Sequence, residues 1–349
     1  MIKVLIVDDS MLIRRLLTEI LSLDSNIEVV GTATDPIDAR QKIKQLNPDV
    51  ITLDIEMPLM DGITFLEKLM RLRPLPVVMI STLTKKGARA TIEALQLGAV
   101  DFIAKPKQDV NNSLSDLSQE IIMKVKNAAK ANISALKQNI KINQQTKLSV
   151  SNDSKKLRGN IDLIAIGAST GGTEAIKDIL VQLPSHMPPI IIVQHMPPVF
   201  TLLYANSLDN VLPLEVIEFN QSKTELRQNH VYIANGASHM VLQKSADKYI
   251  LVADNSDPVN RHKPSVDVLF NSVAKTKGIK SIGVILTGMG ADGAAGMGNM
   301  LKAGSLTVAQ DKDSSVVWGM PRVAIEQNAV SNVLALEDIG KWLIDQCYG

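Results

Sequence analysis

Three residues in the second half of the chain have the types and settings needed for acyl transfer. Ser169 lies in the turn Gly167-Ala168-Ser169-Thr170-Gly171-Gly172, directly after the apolar run 161–166. A strand, a tight turn and a helix start in succession place a side chain at the carboxyl edge of a sheet, where open α/β folds bind ligands. Unpaired N–H groups at such a helix start can stabilise an oxyanion. Gly167, Ser169 and Gly171 also satisfy the spacing G-x-S-x-G. A Gly-rich turn whose serine only caps the helix would use the same residues. His195 follows Ile190-Ile191-Ile192-Val193-Gln194, which has the continuous apolar character of a strand buried on both faces. Asp292 lies in Thr287-Gly288-Met289-Gly290-Ala291-Asp292-Gly293, after the apolar run 281–286. All three therefore sit beyond strand ends on one edge. In that arrangement serine attacks, histidine takes its proton and aspartate orients the imidazole.

Two alternatives bear on the same residues. Gly288, Gly290 and Gly293 fit the dinucleotide spacing G-x-G-x-x-G, and Asp311 ends the next apolar run. Asp292 would then put a carboxylate inside a loop meant for a pyrophosphate. The remaining histidines, His186, His230, His239 and His262, fall in loops or beside turns. A solvated side chain is the ordinary expectation there, and no two histidines have metal-ligand spacing, so zinc hydrolysis is not expected.

A second constellation occupies the first third of the chain. Asp8 and Asp9 follow the apolar run 2–7, Asp54 follows 50–53, and Lys105 follows 100–103. Three carboxylates at one sheet edge repel unless a cation joins them, and an oxygen-only site suits Mg²⁺. The Lys105 ammonium can pair with a carboxylate or with a phosphoryl group placed on it.

The elements that must position these groups follow from periodicity. Strand-like runs at 2–7, 27–31, 50–53, 76–81 and 100–103 alternate with helix-period segments at 11–22, 36–46, 62–72, 87–97 and 114–131. Five β-then-α units predict a parallel sheet covered on both faces, with a first domain at 1–131. Residues 132–158 are rich in Lys, Asn, Gln and Ser and lack aromatics, which predicts a flexible polar linker. From 159 to 349, strands are expected at 161–166, 190–194, 231–234, 240–244, 249–253, 281–286 and 305–310. Helices are expected at 173–182, 198–209, 266–276, 294–303, 321–327 and 336–346. This is a doubly wound, mainly parallel α/β domain with a hairpin between 240 and 253.

Composition narrows the partners. A net charge of +1 over 349 residues supplies no global field for nucleic acid or an anionic membrane. Cys347 has no second cysteine to pair with, so no disulfide framework is expected. The run 2–7 is too short for a signal sequence, and no stretch approaches a membrane span. A cytoplasmic protein without membrane insertion is expected.

Asp8-Asp9, the segment Asp54 to Gly62, Ser81-Thr82 and Lys105-Pro106 together resemble the receiver domain of two-component response regulators. That resemblance implies a flavodoxin-like (βα)5 fold with Asp54 as phosphoacceptor. It implies Mg²⁺ held by Asp8, Asp9, Asp54 and the backbone carbonyl of Glu56. It further implies Ser81 as the hydroxyl meeting the phosphoryl group, Phe102 as the aromatic switch and Lys105 as the family's lysine.

The turn 167–172, Gln194-His195-Met196-Pro197, the segment Val259 to Asp267 and the loop Leu286 to Gly293 resemble the output domain of the CheB family. These are chemotaxis protein-glutamate methylesterases and glutamine deamidases. The resemblance implies a phosphorylation-activated hydrolase that demethylates glutamate γ-methyl esters, and deamidates specific glutamines, on methyl-accepting chemoreceptors. Ser169, His195 and Asp292 align with the family's triad, the Met289 backbone N–H with its oxyanion stabiliser, and Thr170 with a hydroxyl beside the nucleophile. A chemotaxis histidine kinase is the implied phosphodonor. Mg²⁺ serves phosphorylation only, the esterase reaction needs no cofactor, and a monomer is expected. The order Ser, His, Asp differs from that of α/β-hydrolases, so that fold is not implied. A transcriptional regulator is disfavoured by the want of a C-terminal helix-turn-helix or basic patch. A non-catalytic adaptor is disfavoured by retention of all three triad residue types.

Overall fold

The computed structural model describes residues 1–58, 60–105, 114–136 and 161–348. The chain divides into two compact units between Ile140 and Lys141.

The first unit runs β1 (Ile2–Val7), α1 (Met11–Leu21), β2 (Ile27–Ala33), α2 (Pro36–Leu46), β3 (Val50–Asp54), α3 (Gly62–Leu72), β4 (Val77–Ser81), α4 (Lys85–Gln96), β5 (Asp101–Ala104) and α5 (Leu114–Ala128). The strands form one parallel sheet in the order β2-β1-β3-β4-β5. Strand order reverses direction at β1, which opens a crevice over the carboxyl ends of β1 and β3. Ser10, Asp35, Asp61 and Thr84 accept backbone N–H bonds at the starts of α1 to α4, each cap contributing ~1 kcal/mol. Gly62 has a separate role. A Cβ there would lie 2.0 Å from the Asp54 carbonyl oxygen, so only glycine lets α3 start against the end of β3.

The linker expected at 132–158 starts later than its composition suggests. Residues 133–136 are helical (α6), with Ala135 and Leu136 buried, because these two apolar side chains still find a core to pack on. The stretch 137–158 lies outside the described residues.

The second unit runs β6 (Leu163–Ala168), α7 (Gly172–Leu180), β7 (Ile190–Gln194), α8 (Pro198–Asp209), β8 (Glu215–Phe219), β9 (Lys223–Glu225), β10 (His230–Ala234), β11 (His239–Ser245) and β12 (Lys248–Asp254). It continues with α9 (Val266–Lys275), β13 (Ser281–Ile285), α10 (Ala294–Lys302), β14 (Leu306–Gln310), α11 (Met320–Glu326), β15 (Asn332–Leu334) and α12 (Leu336–Tyr348). Seven strands form a parallel sheet in the order β15-β14-β13-β6-β7-β10-β8. Leu163 to Ile166 and Ile190 to Val193 have no exposed surface, as expected for central strands covered on both faces. Burying each such side chain contributes roughly 1.5–3 kcal/mol. β11 and β12 form the expected hairpin, pairing Ser245 with Lys248, and β9 completes a three-stranded antiparallel sheet. Strands β8, β9 and β15 lie outside the strands expected from periodicity.

Candidate functional site

β6 lies between β13 and β7 in the large sheet. Ser169 directly follows β6, His195 directly follows β7, and Asp292 ends the loop between β13 and α10. The nucleophile candidate is thus central, with the base on one side and the acid on the other. Its backbone is tied to both neighbours. Ser169 N donates to Thr287 O at 3.1 Å, Gln194 Nε2 donates to Ser169 O at 2.9 Å, and His195 N donates to Ala168 O at 3.2 Å. A Cβ on Gly288 would lie 2.8 Å from the Ser169 Cβ, so a glycine there lets the 287–293 loop pack directly on the serine.

His195 and Asp292 meet across this edge, with Nε2 to Oδ2 at 2.9 Å. A carboxylate only accepts, so Nε2 carries the hydrogen and Nδ1 is the basic nitrogen. Nδ1 is buried and has no hydrogen bond among the described residues. Asp292 is 2 % exposed and accepts from Asn260 Nδ2 (2.7 Å), Ser265 Oγ (2.7 Å), Val266 N (2.7 Å) and Asp267 N (3.2 Å) as well. Burial works to raise its pKa. The hydrogen bond and charge of His195, with Asn260 and Ser265, outweigh that and hold the carboxyl well below the usual carboxylate range.

Two histidines expected to be solvated belong to this assembly. His262 stacks on His195, with ring centroids 3.8 Å apart and planes 10° from parallel. His239 is fully buried at the start of β11. Its Nδ1 accepts from Ser265 N at 3.1 Å and its Nε2 faces Asp257 O at 3.1 Å, which fixes the Nε2–H tautomer. His239 therefore holds the serine that holds Asp292. Only Ser265 had a local signal, as an N-cap before the helix expected at 266–276; its side chain accepts from Val268 N.

Met289 lies between Gly288 and Gly290, and Gly290 has φ +81°. The loop is pinned from below: Gly319 N and Met320 N donate to Gly288 O at 3.1 and 2.8 Å, and Gly288 N donates to Val317 O at 3.0 Å. Thr170 is buried, and its carbonyl accepts from Thr287 Oγ1 at 3.0 Å. The dinucleotide reading of this loop fails on charge. The start of α10 is already occupied by the Asp267 carboxylate, which accepts from Gly296 N at 2.6 Å, and a pyrophosphate would face that buried acid.

In the first unit, carboxylate oxygens of Asp8, Asp9 and Asp54 lie within 4.8 Å of one another. Asp8 and Asp54 are buried and Asp9 is exposed. Lys105 Nζ is 2.8 Å from Asp54 Oδ2 and 3.3 Å from Asp8 Oδ2. Asp54 is pushed up to about 6 by burial, with the Asp8 charge adding to it and Lys105 pulling against it. Asp8 is raised by burial too. Three carboxylates gathered at one sheet edge with only oxygen donors fit Mg²⁺, whose charge would offset the burial and mutual repulsion that raise Asp8 and Asp54. The backbone N–H of Glu56 donates to Asp54, and its side chain reaches outward, 3.6 Å from Lys86 Nζ. Ser81 Oγ is buried, accepting from Thr91 Oγ1 at 2.7 Å and lying 3.2 Å from Gly87 O. Phe102 is buried, with Lys124 Nζ 5.0 Å from its ring centroid.

Residues 164–343 match the family model described as CheB methylesterase, and residues 4–114 match that of the response regulator receiver domain. The chain belongs to the CheB methylesterase family. A protein-glutamate methylesterase/protein-glutamine glutaminase of Nitrosomonas europaea is 50% identical over 348 residues, covering 100% of this chain and 97% of that one. A second, from Saccharophagus degradans, is 52% identical over 343 residues, with 98% of each chain covered. The crystal structure of the Thermotoga maritima CheB methylesterase catalytic domain is 38% identical, with a TM-score of 0.51. It covers 53% of this chain and 98% of its own. Fold and family therefore agree for both units of this CheB chain. No helix among the described residues is long and apolar enough to cross a membrane.

Proposed function

We infer that the chain is a phosphorylation-activated hydrolase of glutamate γ-methyl esters, and of specific glutamine side chains, on methyl-accepting chemoreceptors. The observation that carries this is the His195–Asp292 bond at 2.9 Å, on the edge where Ser169 ends β6. Ser169 Oγ attacks the γ-carbonyl carbon and its proton passes to His195 Nδ1. The charge that forms on the imidazolium faces Asp292, and the charge on the former carbonyl oxygen faces the Met289 backbone N–H. Collapse breaks the bond to the methoxy oxygen, which leaves with the Nδ1 proton as methanol. Water then attacks the acyl-serine, gives its proton to Nδ1, and Ser169 recovers it as the glutamate is released. With glutamine the leaving group is ammonia. Thr170 lines the same turn. No step needs a metal or an organic cofactor.

Asp54 accepts the phosphoryl group from a chemotaxis histidine kinase. Asp8, Asp9, Asp54 and the Glu56 carbonyl would hold Mg²⁺, whose charge offsets that of the acids and the incoming group. Lys105 already bonds Asp54 and passes to the phosphoryl oxygens. Ser81 exchanges Gly87 O for the same group, and Phe102 repacks as that loop moves. The protein acts as a cytoplasmic monomer, at receptors but not inserted in the membrane, and it binds no nucleic acid. The domains are a receiver at 1–131, extended by the helical turn 133–136, then a polar linker to 158 and a catalytic domain at 159–349.

The test is methanol release from methylated receptor membranes, with and without a small acyl phosphate and Mg²⁺. Wild-type protein is expected to release methanol faster when phosphorylated, and Asp54→Asn to remove that response. No methanol release at all would sink the hydrolase reading.

A further inference from the structure

Two buried carboxylates stand behind His195, not one. Asp292 accepts from Val266 N and Asp267 N at the start of α9, while Asp267 Oδ1 accepts from Gly296 N at the start of α10. The two helices are thus capped crosswise, each by an acid belonging to the other's start. A single amide joins these acids. Asn260 Nδ2 donates at 2.7 Å to Asp267 Oδ2 and at 2.7 Å to Asp292 Oδ1. The two acceptor oxygens therefore lie within twice that distance of each other.

Carboxylates this close, out of water, repel strongly. Burial and the Asp292 charge both push Asp267 up. An NH₂ group suits the gap because it offers one hydrogen to each acid and brings no charge that would pair with either alone. The backbone is arranged to deliver it: Asn260 has φ +54° and Arg261 φ +67°, and asparagine enters that left-handed region more readily than most residues. Asn260 as a residue is exposed, so the clamp reaches the acids from outside the core.

We propose that Asn260 is a positioning residue for the reaction, acting through Asp292. Its amide offsets the repulsion between Asp267 and Asp292 and fixes Oδ1 of Asp292, so that Oδ2 is left to meet His195 Nε2. This rests on the reading of Ser169, His195 and Asp292 as the reacting groups. This role places Asn260 behind the reacting groups and not against the substrate, so its loss acts on kcat and not on KM.

The experiment compares full-length wild type, Asn260→Ala and Asn260→Asp in steady-state methanol release from methylated receptor membranes, with thermal melts alongside. Asn260→Ala is expected to lower kcat about ten- to hundred-fold, the range for one lost hydrogen bond to a charged group, with KM unchanged. Asn260→Asp is expected to lower kcat further, since a third carboxylate replaces the shared donor. Wild-type kcat in Asn260→Ala overturns the clamp while leaving the hydrolase reading intact. A raised KM with kcat retained also overturns it, because the loop would then be touching the receptor. Equal kcat losses in both variants, tracking a common fall in Tm, overturn it in favour of a purely structural role. A wild-type chain that releases no methanol overturns the function itself, and the role of Asn260 with it.

Discussion

The imidazole of His262 covers the face of His195, 3.8 Å away and 10° from parallel. The bond from Nε2 to Asp292 fixes one edge of the His195 ring, and the stack fixes its plane. Together they aim Nδ1 in one direction. We expect His262→Ala to lower kcat about tenfold through lost alignment, and His262→Phe, which keeps a flat ring, to retain most of the rate. Steady-state methanol release separates the two. Equal losses in both variants would mean that an imidazole nitrogen of His262 matters, and not the stack.

Removing the proposed nucleophile and removing the proposed acid should differ in depth. Ser169→Ala is expected to cost a factor of ~10⁶ in kcat and Asp292→Asn ~10⁴, since His195 still acts when poorly oriented. Asp54 phosphorylation should be unchanged in both, because its acids lie in the other unit. A labelled phosphodonor reads the second property independently of the first. Wild-type methanol release from Ser169→Ala would remove that residue from the mechanism.

Much of this arrangement is legible in the residues alone. The run Ile190 to Gln194 predicts a strand and the helix-period segment after it predicts a helix at 198–209; both are found there. Continuous apolar runs and 3.6-residue periods are local signals, so the central strands, and the residues that end them, are readable. Edge elements are not. β8 reads Glu215, Val216, Ile217, Glu218, Phe219, which neither alternates cleanly nor is continuously buried, and β15 is three residues long. The support of the site is less legible still. Asn260 meets Asp292 across 32 residues, and His239 meets Ser265 across 26. A polar stretch such as 254–263 reads as solvated because nothing periodic in it announces that it folds over an acid.

Asp54, the proposed phosphoacceptor, should make the receiver unit sensitive to pH in a definite direction. Asp54 is raised from 3.8 to about 6 in the folded chain, so folding takes up a proton. Its contribution to stability is full below about pH 4 and is lost as pH rises through 6, on the order of 3 kcal/mol in all. Asp54→Asn removes the ionisation. The receiver transition in full-length protein should therefore melt roughly 10–15 °C higher in Asp54→Asn than in wild type at pH 8, and nearly together with it at pH 4. A constant difference across that range would show that ionisation of Asp54 is not the cause.

Chelation offers a separate test of the acid cluster. Mg²⁺ removal should stop phosphorylation of Asp54 and leave basal methanol release untouched, since Ser169, His195 and Asp292 include no metal ligand set. Calorimetric titration should also show Mg²⁺ binding weaken as pH falls below about 6, where protons compete for Asp54. Loss of basal hydrolysis on chelation would place a metal in the second unit.

The crosswise capping of α9 and α10 has a consequence for how such a chain changes over generations. Asp292 serves two masters: it backs His195, and it closes the first turn of α9. Ser169 holds no comparable structural post: among the described residues, α7 starts after Gly171 with no side-chain cap. A gene copy released from selection for hydrolysis can therefore drift at Ser169 at little structural cost. At Asp292 the same copy stays constrained, because losing that cap destabilises the fold by ~1–2 kcal/mol before any chemistry is counted. In a decayed descendant the aspartate would outlive the activity, and the serine is the position that tells a working enzyme from its relic.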